Sequence, residues 1–318
     1  MPPTFVTRKA VLQSLYTLPV VASSAAVPSS GGAVNFRYLG TAGWEISDHT
    51  TIILVDPYVS RINGPPPPGL PPYKGLGDSR RVYGWDDVPT PDTVAVDAHI
   101  SRATLIAVTH AHYDHILDVP DIALKTQALV IGHESTQNIL RAYNVPEQQL
   151  LTVRGGEDYD FGLFSIKVIP SIHSALDHKH YYSSAQAPAG LHAPLTLRQM
   201  HREGGTLAFL IRLSGHEILV FGSMNYIERE IEGLEPDVVI VGAGSSRKEI
   251  YEYSGRLMRS LRFPKLVLPT HWDNFLAPFA VSQQPQITAL QSFVREIKAA
   301  SPDTMVPLPQ YFATVRLG

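Results

Sequence analysis

Cysteine is absent from the 318 residues. That excludes disulfides, thiolate metal ligands and a thiol nucleophile. Charge is sparse too: 17% of residues are charged and the formal net charge is −3. No basic block exists of the kind that binding to a phosphate backbone demands, so nucleic acid is not an expected partner. Past the N-terminal segment, no apolar stretch is long enough to span a membrane. What is present is 44% hydrophobic residues, enough for a sizeable core in one large or two ordinary domains. With thiolates excluded, histidine and carboxylate remain as metal ligands, and the chain has 13 histidines.

The first thirty residues differ in kind from the rest. Arg8 and Lys9 precede an uncharged stretch, Ala10 to Ala26, that closes on small residues. A basic start, an apolar middle and a small-residue end make an export signal peptide, expected over residues 1–28. Thr7-Arg-Lys-Ala-Val-Leu-Gln13 also resembles a twin-arginine signal with Lys9 replacing the second arginine. The alternative is an amphipathic N-terminal helix, which Pro19 and the serines fit poorly. Export implies a periplasmic or extracellular protein with no stable membrane anchor after cleavage.

The most informative stretch is Thr104-Leu-Ile-Ala-Val-Thr-His-Ala-His-Tyr-Asp-His115. Leu105 to Val108 reads as a buried strand. Four side chains able to bind metal follow within six residues: His110, His112, Asp114 and His115. A strand end is a rigid base, and the loop after it lets neighbouring side chains converge. Imidazoles with a carboxylate suit Zn2+ and related divalent ions, Mn2+ included.

This run resembles the His-x-His-x-Asp-His signature of the metallo-β-lactamase superfamily. The resemblance implies a four-layer αββα sandwich, and the order of elements agrees with it. Val34–Leu39, Trp44–Ile46 and Thr51–Val55 read as an opening meander, and strands alternating with helices follow. A second round begins near Thr206 and ends in a helix over about Gln286–Ala300. One domain over 33–318 is expected, with Pro/Gly-rich and His-rich insertions at about 60–92 and 175–204. Neither insertion carries a readable code, although the aromatics and arginines of the first could form a lid.

Carried over by resemblance, His110, His112 and His173 would bind a first metal, and Asp114, His115 and His271 a second. Asp56, at the end of an early strand, would either orient a metal-binding histidine or close a turn before Pro57. One position departs from the family. Ser223, in Phe221-Gly-Ser-Met-Asn225, stands where a carboxylate usually bridges both ions. Asn225 and Asp273 each lie two residues from an expected ligand, and either would compensate if the strand continued. A mononuclear or loosely dinuclear site is expected. Asp114 would orient the attacking hydroxide or take its proton, and His271 would protonate the leaving group.

The spacing resembles the branch containing the ascorbate-6-phosphate lactonase and the phospholipase D acting on N-acyl-phosphatidylethanolamine. Hydrolysis of a small-molecule ester, lactone or phosphoester follows as the expected reaction. The alternatives are a non-catalytic binder on the same scaffold and a phosphodiesterase acting on phospholipid.

Overall fold

The computed structural model describes residues 32–66, 72–177, 179–181 and 185–318, with backbone only at Asp177 and Tyr181. The signal-peptide reading falls outside them, as do His178 and Tyr182 of the His-rich insertion. Residues 31–318 form one compact unit. Among the described residues no helix is long and apolar enough to cross a membrane.

The first sheet begins with β1 (Val34–Gly40), β2 (Gly43–Ser47), β3 (Ile52–Val55), β4 (Leu105–Ala107), β5 (Leu129–Gly132) and β6 (Leu150–Thr152). Next in the chain come β7 (Asp158–Asp160), β8 (Phe164–Ser171) and a small hairpin of β9 (Ala175–Asp177) with β10 (His180–Tyr181). Strands β11 (Thr206–Leu213), β12 (His216–Phe221), β13 (Val238–Gly242) and β14 (Leu266–Thr270) follow, and β15 (Thr314–Leu317) comes last. The first sheet runs β15-β1-β2-β3-β4-β5-β6 and the second β14-β13-β12-β11-β8-β7. In each sheet, antiparallel hairpins give way to parallel strands joined through helices.

Alternation along the strands divides the apolar side chains between two layers. Leu105 and Ala107 of β4 face the inter-sheet core with Trp44, Phe209 and Ile240. Ile106 and Val108 face the other way, packing with Ile122, Ile139 and Leu140 of the helices Val119–Thr126 and Glu134–Ala142. On the second sheet, Leu257, Leu290 and Phe293 bring the helices Tyr253–Ser260 and Gln284–Ala300 into the inter-sheet cluster. The architecture is the αββα sandwich of the metallo-β-lactamase fold.

Among the elements not anticipated from sequence, two complete the first half of the sandwich. Thr93–His99 is a helix, capped by the Asp92 carboxylate accepting from the Ala95 N–H. β15 joins the first sheet beside β1, pairing Phe36 with Val315.

Candidate metal centre and active site

The site lies at the C-terminal ends of the strands, where β4, β8, β12 and β14 release their chains at one end of the sandwich. His110 and His112 follow β4. His112 is also the N-cap of a single helical turn, Tyr113–Ile116, which carries Asp114 and His115. His173 follows β8, Ser223 follows β12 and His271 follows β14.

The residues expected to bind metal come together in two groups. Ligand atoms of His110, His112 and His173 lie within 4.8 Å of one another, and so do those of Asp114, His115 and His271. A third such group is His112, Asp114 and His201. His201 lies in the His-rich insertion, which carries no readable code in the sequence. The structure fixes it by long-range backbone bonds: Arg202 N–H donates to the Ala111 carbonyl (2.9 Å) and Ala111 N–H to the Glu203 carbonyl (3.2 Å). No local pattern encodes that placement.

The hydrogen bonds also set the tautomers that metal binding needs. Asp56 accepts from the Thr109 N–H (2.8 Å) and the Thr109 hydroxyl (2.5 Å). That hydroxyl, its proton committed, accepts from His110 Nδ1 at 3.1 Å. The His110 Nε2 lone pair therefore faces the site, buried and with no partner among the described residues. His173 Nδ1 donates to the Ser174 carbonyl (3.1 Å), leaving its Nε2 as the lone pair. His115 Nδ1 donates to Asp56 Oδ2 (2.8 Å). An orphaned buried imidazole nitrogen beside two more imidazoles is what a divalent ion would satisfy.

Electrostatics agree. Burial, reinforced by neighbouring imidazoles, pushes His110 and His112 well below the usual histidine range, and burial pushes His173 down to about 3. All three rings are neutral and able to ligate at neutral pH. Burial disfavours charge on His115, but the Asp56 and Asp114 carboxylates outweigh it and raise its pKa. Burial alone would raise Asp114, yet His115 and His271 hold it below the usual carboxylate range. His271 Nε2 lies 3.3 Å from Asp114 Oδ2.

Asp56 thus holds His115 directly and His110 through Thr109, which decides between its two readings. Gly222 belongs to the same arrangement, since a Cβ there would meet Thr109 Oγ1 at 2.0 Å and Asp56 Oδ2 at 2.7 Å. We expect Asp56→Asn to weaken metal affinity by about 10- to 100-fold, the usual effect of losing such an orienting carboxylate. Competition with a chromogenic chelator measures it.

Neither residue expected to compensate for Ser223 does so. Asn225 is turned to the backbone, its Nδ2 donating to the His173 carbonyl (3.1 Å) and its Oδ1 accepting from Tyr226 N–H (2.9 Å). Asp273 points away from the imidazoles. It pairs with buried Arg61 at 2.6 Å and accepts from Tyr38, Tyr311 and the Thr41 N–H. The strand does not continue as assumed: His271 has φ +51°, which breaks the alternation of side chains. Ser223 itself is buried, its Oγ accepting from Ser174 N–H (2.9 Å) and bonded to Ser174 Oγ (2.7 Å).

Glu203, behind the ligand loop, is nearly inaccessible at 3% exposure. Its Oε1 accepts from the Thr206 hydroxyl (2.9 Å), and its Oε2 has no partner among the described residues. Burial pushes its carboxyl up to about 7. The native state therefore holds a proton that the unfolded chain releases near the ordinary glutamate range. This contribution to stability is complete at acid pH and is lost as pH rises through about 7. Urea unfolding at pH 5.5 and 8.5 should show Glu203→Gln gaining about 2 kcal/mol on the parent over that interval.

The pocket beside these residues is lined by Ser174, Ser223, His112, His115, His173 and His271, with Trp85, Tyr113 and Phe275 around them. A sequence profile described as the Beta-lactamase superfamily domain matches residues 52–272, more than half of the chain. The chain is 25% identical to a UPF0173 metal-dependent hydrolase of Symbiobacterium thermophilum over 284 residues, covering 87% of this chain and 99% of the relative. Among solved structures it resembles Igni18, a metallo hydrolase of Ignicoccus hospitalis, at 16% identity and TM-score 0.55, covering 90% and 99% of the two chains. A possible metal-dependent hydrolase of Veillonella parvula is similar at 13% identity and TM-score 0.53, covering 91% and 100%. The structural likenesses show the fold, and the profile shows the family. This chain belongs to the metallo-β-lactamase superfamily and is one of its metal-dependent hydrolases.

Proposed function

We propose that the protein hydrolyses an ester-type bond (lactone, carboxylic ester or phosphoester) in a small molecule, as in the branch its spacing resembles. The observation that carries this is the trio His110, His112 and His173. Its rings are neutral and converge, with Nδ1 fixed in two of the three. His110, His112 and His173 would hold a first ion, taken to be Zn2+, and Asp114, His115 and His271 a weaker second. An ion in such a three-imidazole site supplies Lewis acidity and a nucleophile at neutral pH by lowering the pKa of water to about 7.

With one ion bound, Asp114 and His271 are not ligands, and Asp114, ionised and lining the pocket, orients the attacking water and accepts its proton. His271 Nε2, 3.3 Å from that carboxylate, is placed to pass the proton to the leaving oxygen. The Arg8-Lys9 start and the uncharged stretch behind it support export before the enzyme works. Zinc-loaded protein assayed against a γ-lactone, a carboxylic ester and a phosphate diester tests the reading. Turnover of at least one, abolished by chelation and restored by zinc, is expected, and inertness toward all three contradicts it.

A further inference from the structure

The two insertions meet over the metal centre. Leu197 N–H donates to the Asp87 carbonyl (2.9 Å), Arg198 N–H donates to the Trp85 carbonyl (2.8 Å), and the Arg198 guanidinium grips Asp86 at 2.8 and 3.1 Å. This joint lays Trp85 against His201, ring centroids 4.9 Å apart, and His201 against His112 at 3.8 Å with planes only 13° apart. A metal ion sits in the plane of each imidazole that binds it, about 2.0–2.1 Å from the nitrogen. Rings stacked face to face have parallel planes, so His112 and His201 cannot both bind one ion in this arrangement. His201 is therefore part of the pocket wall.

Apart from the imidazoles, Ser174 and Ser223, the wall is apolar: Pro65, Pro66, Trp85, Tyr113, Leu176 and Phe275 line it, and among the described residues Asp114 is its only acidic one. Among the described residues neither Lys nor Arg lines the pocket. The undescribed residues within the two insertions, 67–71, 178 and 182–184, include no Lys or Arg either. Four of the five arginines of the insertions are committed to carboxylates, Arg61 to Asp273, Arg80 to Asp78, Arg81 to Asp87 and Arg198 to Asp86, while Arg202, Lys74 and Lys179 stand outside the pocket lining. An anionic group remote from the scissile bond would lose its water and gain no cation, which is costly. A hydrocarbon or aromatic group would gain by the same transfer.

We infer that the substrate is an uncharged ester or lactone with an apolar group beside the scissile carbonyl, and that Trp85 is a specificity-determining residue receiving that group. The inference rests on the ester-type reading above and narrows it, setting substrates with a free phosphate or carboxylate tail aside.

The test uses zinc-loaded full-length protein with 4-nitrophenyl acetate, butyrate, pentanoate and octanoate, the 4-nitrophenyl monoester of glutaric acid, and 4-nitrophenyl phosphate. We expect kcat/KM to rise at least roughly tenfold from acetate to octanoate, as several buried methylenes allow. It should fall at least tenfold from the pentanoate to the glutarate monoester, which differ in the charged tail. Trp85→Ala should flatten the chain-length dependence, and Trp85→Phe should keep it. Calorimetric titration with 2-octanone, a neutral ligand that is not hydrolysed, should show binding to the parent and to Trp85→Phe, and at least tenfold weaker binding to Trp85→Ala.

If no ester or phosphoester is turned over but 2-octanone binds in this pattern, the ester-type reading fails and the pocket assignment stands. Equal or better use of the glutarate monoester or the phosphate overturns the inference and leaves the hydrolase reading intact. So does chain-length dependence or 2-octanone binding that is indifferent to Trp85→Ala.

Discussion

Replacing His110 with alanine lowers kcat/KM by at least about 1000-fold, the scale of losing a Lewis acid that supplies several kcal/mol to the transition state. The reason is geometric. His110 is held from behind by Thr109, and Thr109 by Asp56, so its Nε2 is aimed before any ion arrives. Removing the ring leaves two imidazoles at the first site, and two ligands cannot retain a divalent ion against a chelator. The fold should survive, because the backbone of β4 and the Asp56–Thr109 bonds remain. Circular dichroism and steady-state kinetics on one preparation separate a lost ion from a lost fold. Unchanged kinetics in a folded variant would exclude His110 from the site.

Asp273→Ala is expected to act on stability. Its carboxylate is ionised despite burial, because Arg61 and the Tyr311 hydroxyl outweigh the cost of desolvation. Arg61 is equally committed: Nη1 to Asp273 (2.6 Å), Nε to the Ala277 carbonyl (2.7 Å) and Nη2 to the Asn274 carbonyl (2.5 Å). Deleting the carboxylate strands a guanidinium that is 2% exposed. Breaking such a buried pair costs about 3–5 kcal/mol. The midpoint of urea unfolding should fall accordingly. A change below about 1 kcal/mol, with metal content reduced instead, would reinstate Asp273 as a ligand. Since Arg61 opens the first insertion and Asp273 follows His271, the pair also anchors the segment that presents His271 and Phe275 to the pocket.

What could be read from the chain was what is local. His110, His112, Asp114 and His115 sit in one run because a strand end and a single helical turn suffice to bring them together. The sandwich was legible because β4 is a continuous apolar run, buried positions alternate along β8, and they recur at helical spacing elsewhere. Positions set at long range were not legible. Asp273 looked like a substitute for the missing carboxylate only if the chain stayed extended, and the left-handed backbone of His271 turns it toward Arg61. His201 enters the site because Arg202 and Glu203 pair with Ala111, some ninety residues earlier. The helix Thr93–His99 did carry a local sign, Asp92 as its N-cap, which the Pro-rich surroundings obscured. β15 carried only a four-residue alternation, Thr-Val-Arg-Leu, and its partner lies at the other end of the chain.

Ser223 brings no charge to hold two cations together, and neither Asn225 nor Asp273 replaces it. The measurement that bears on this most directly is metal content by plasma mass spectrometry after dialysis against a weak chelator, for the parent and for Ser223→Asp. One ion per chain in the parent and two in Ser223→Asp is the expected result. Two ions retained by the parent, unchanged by Ser223→Asp, would contradict it.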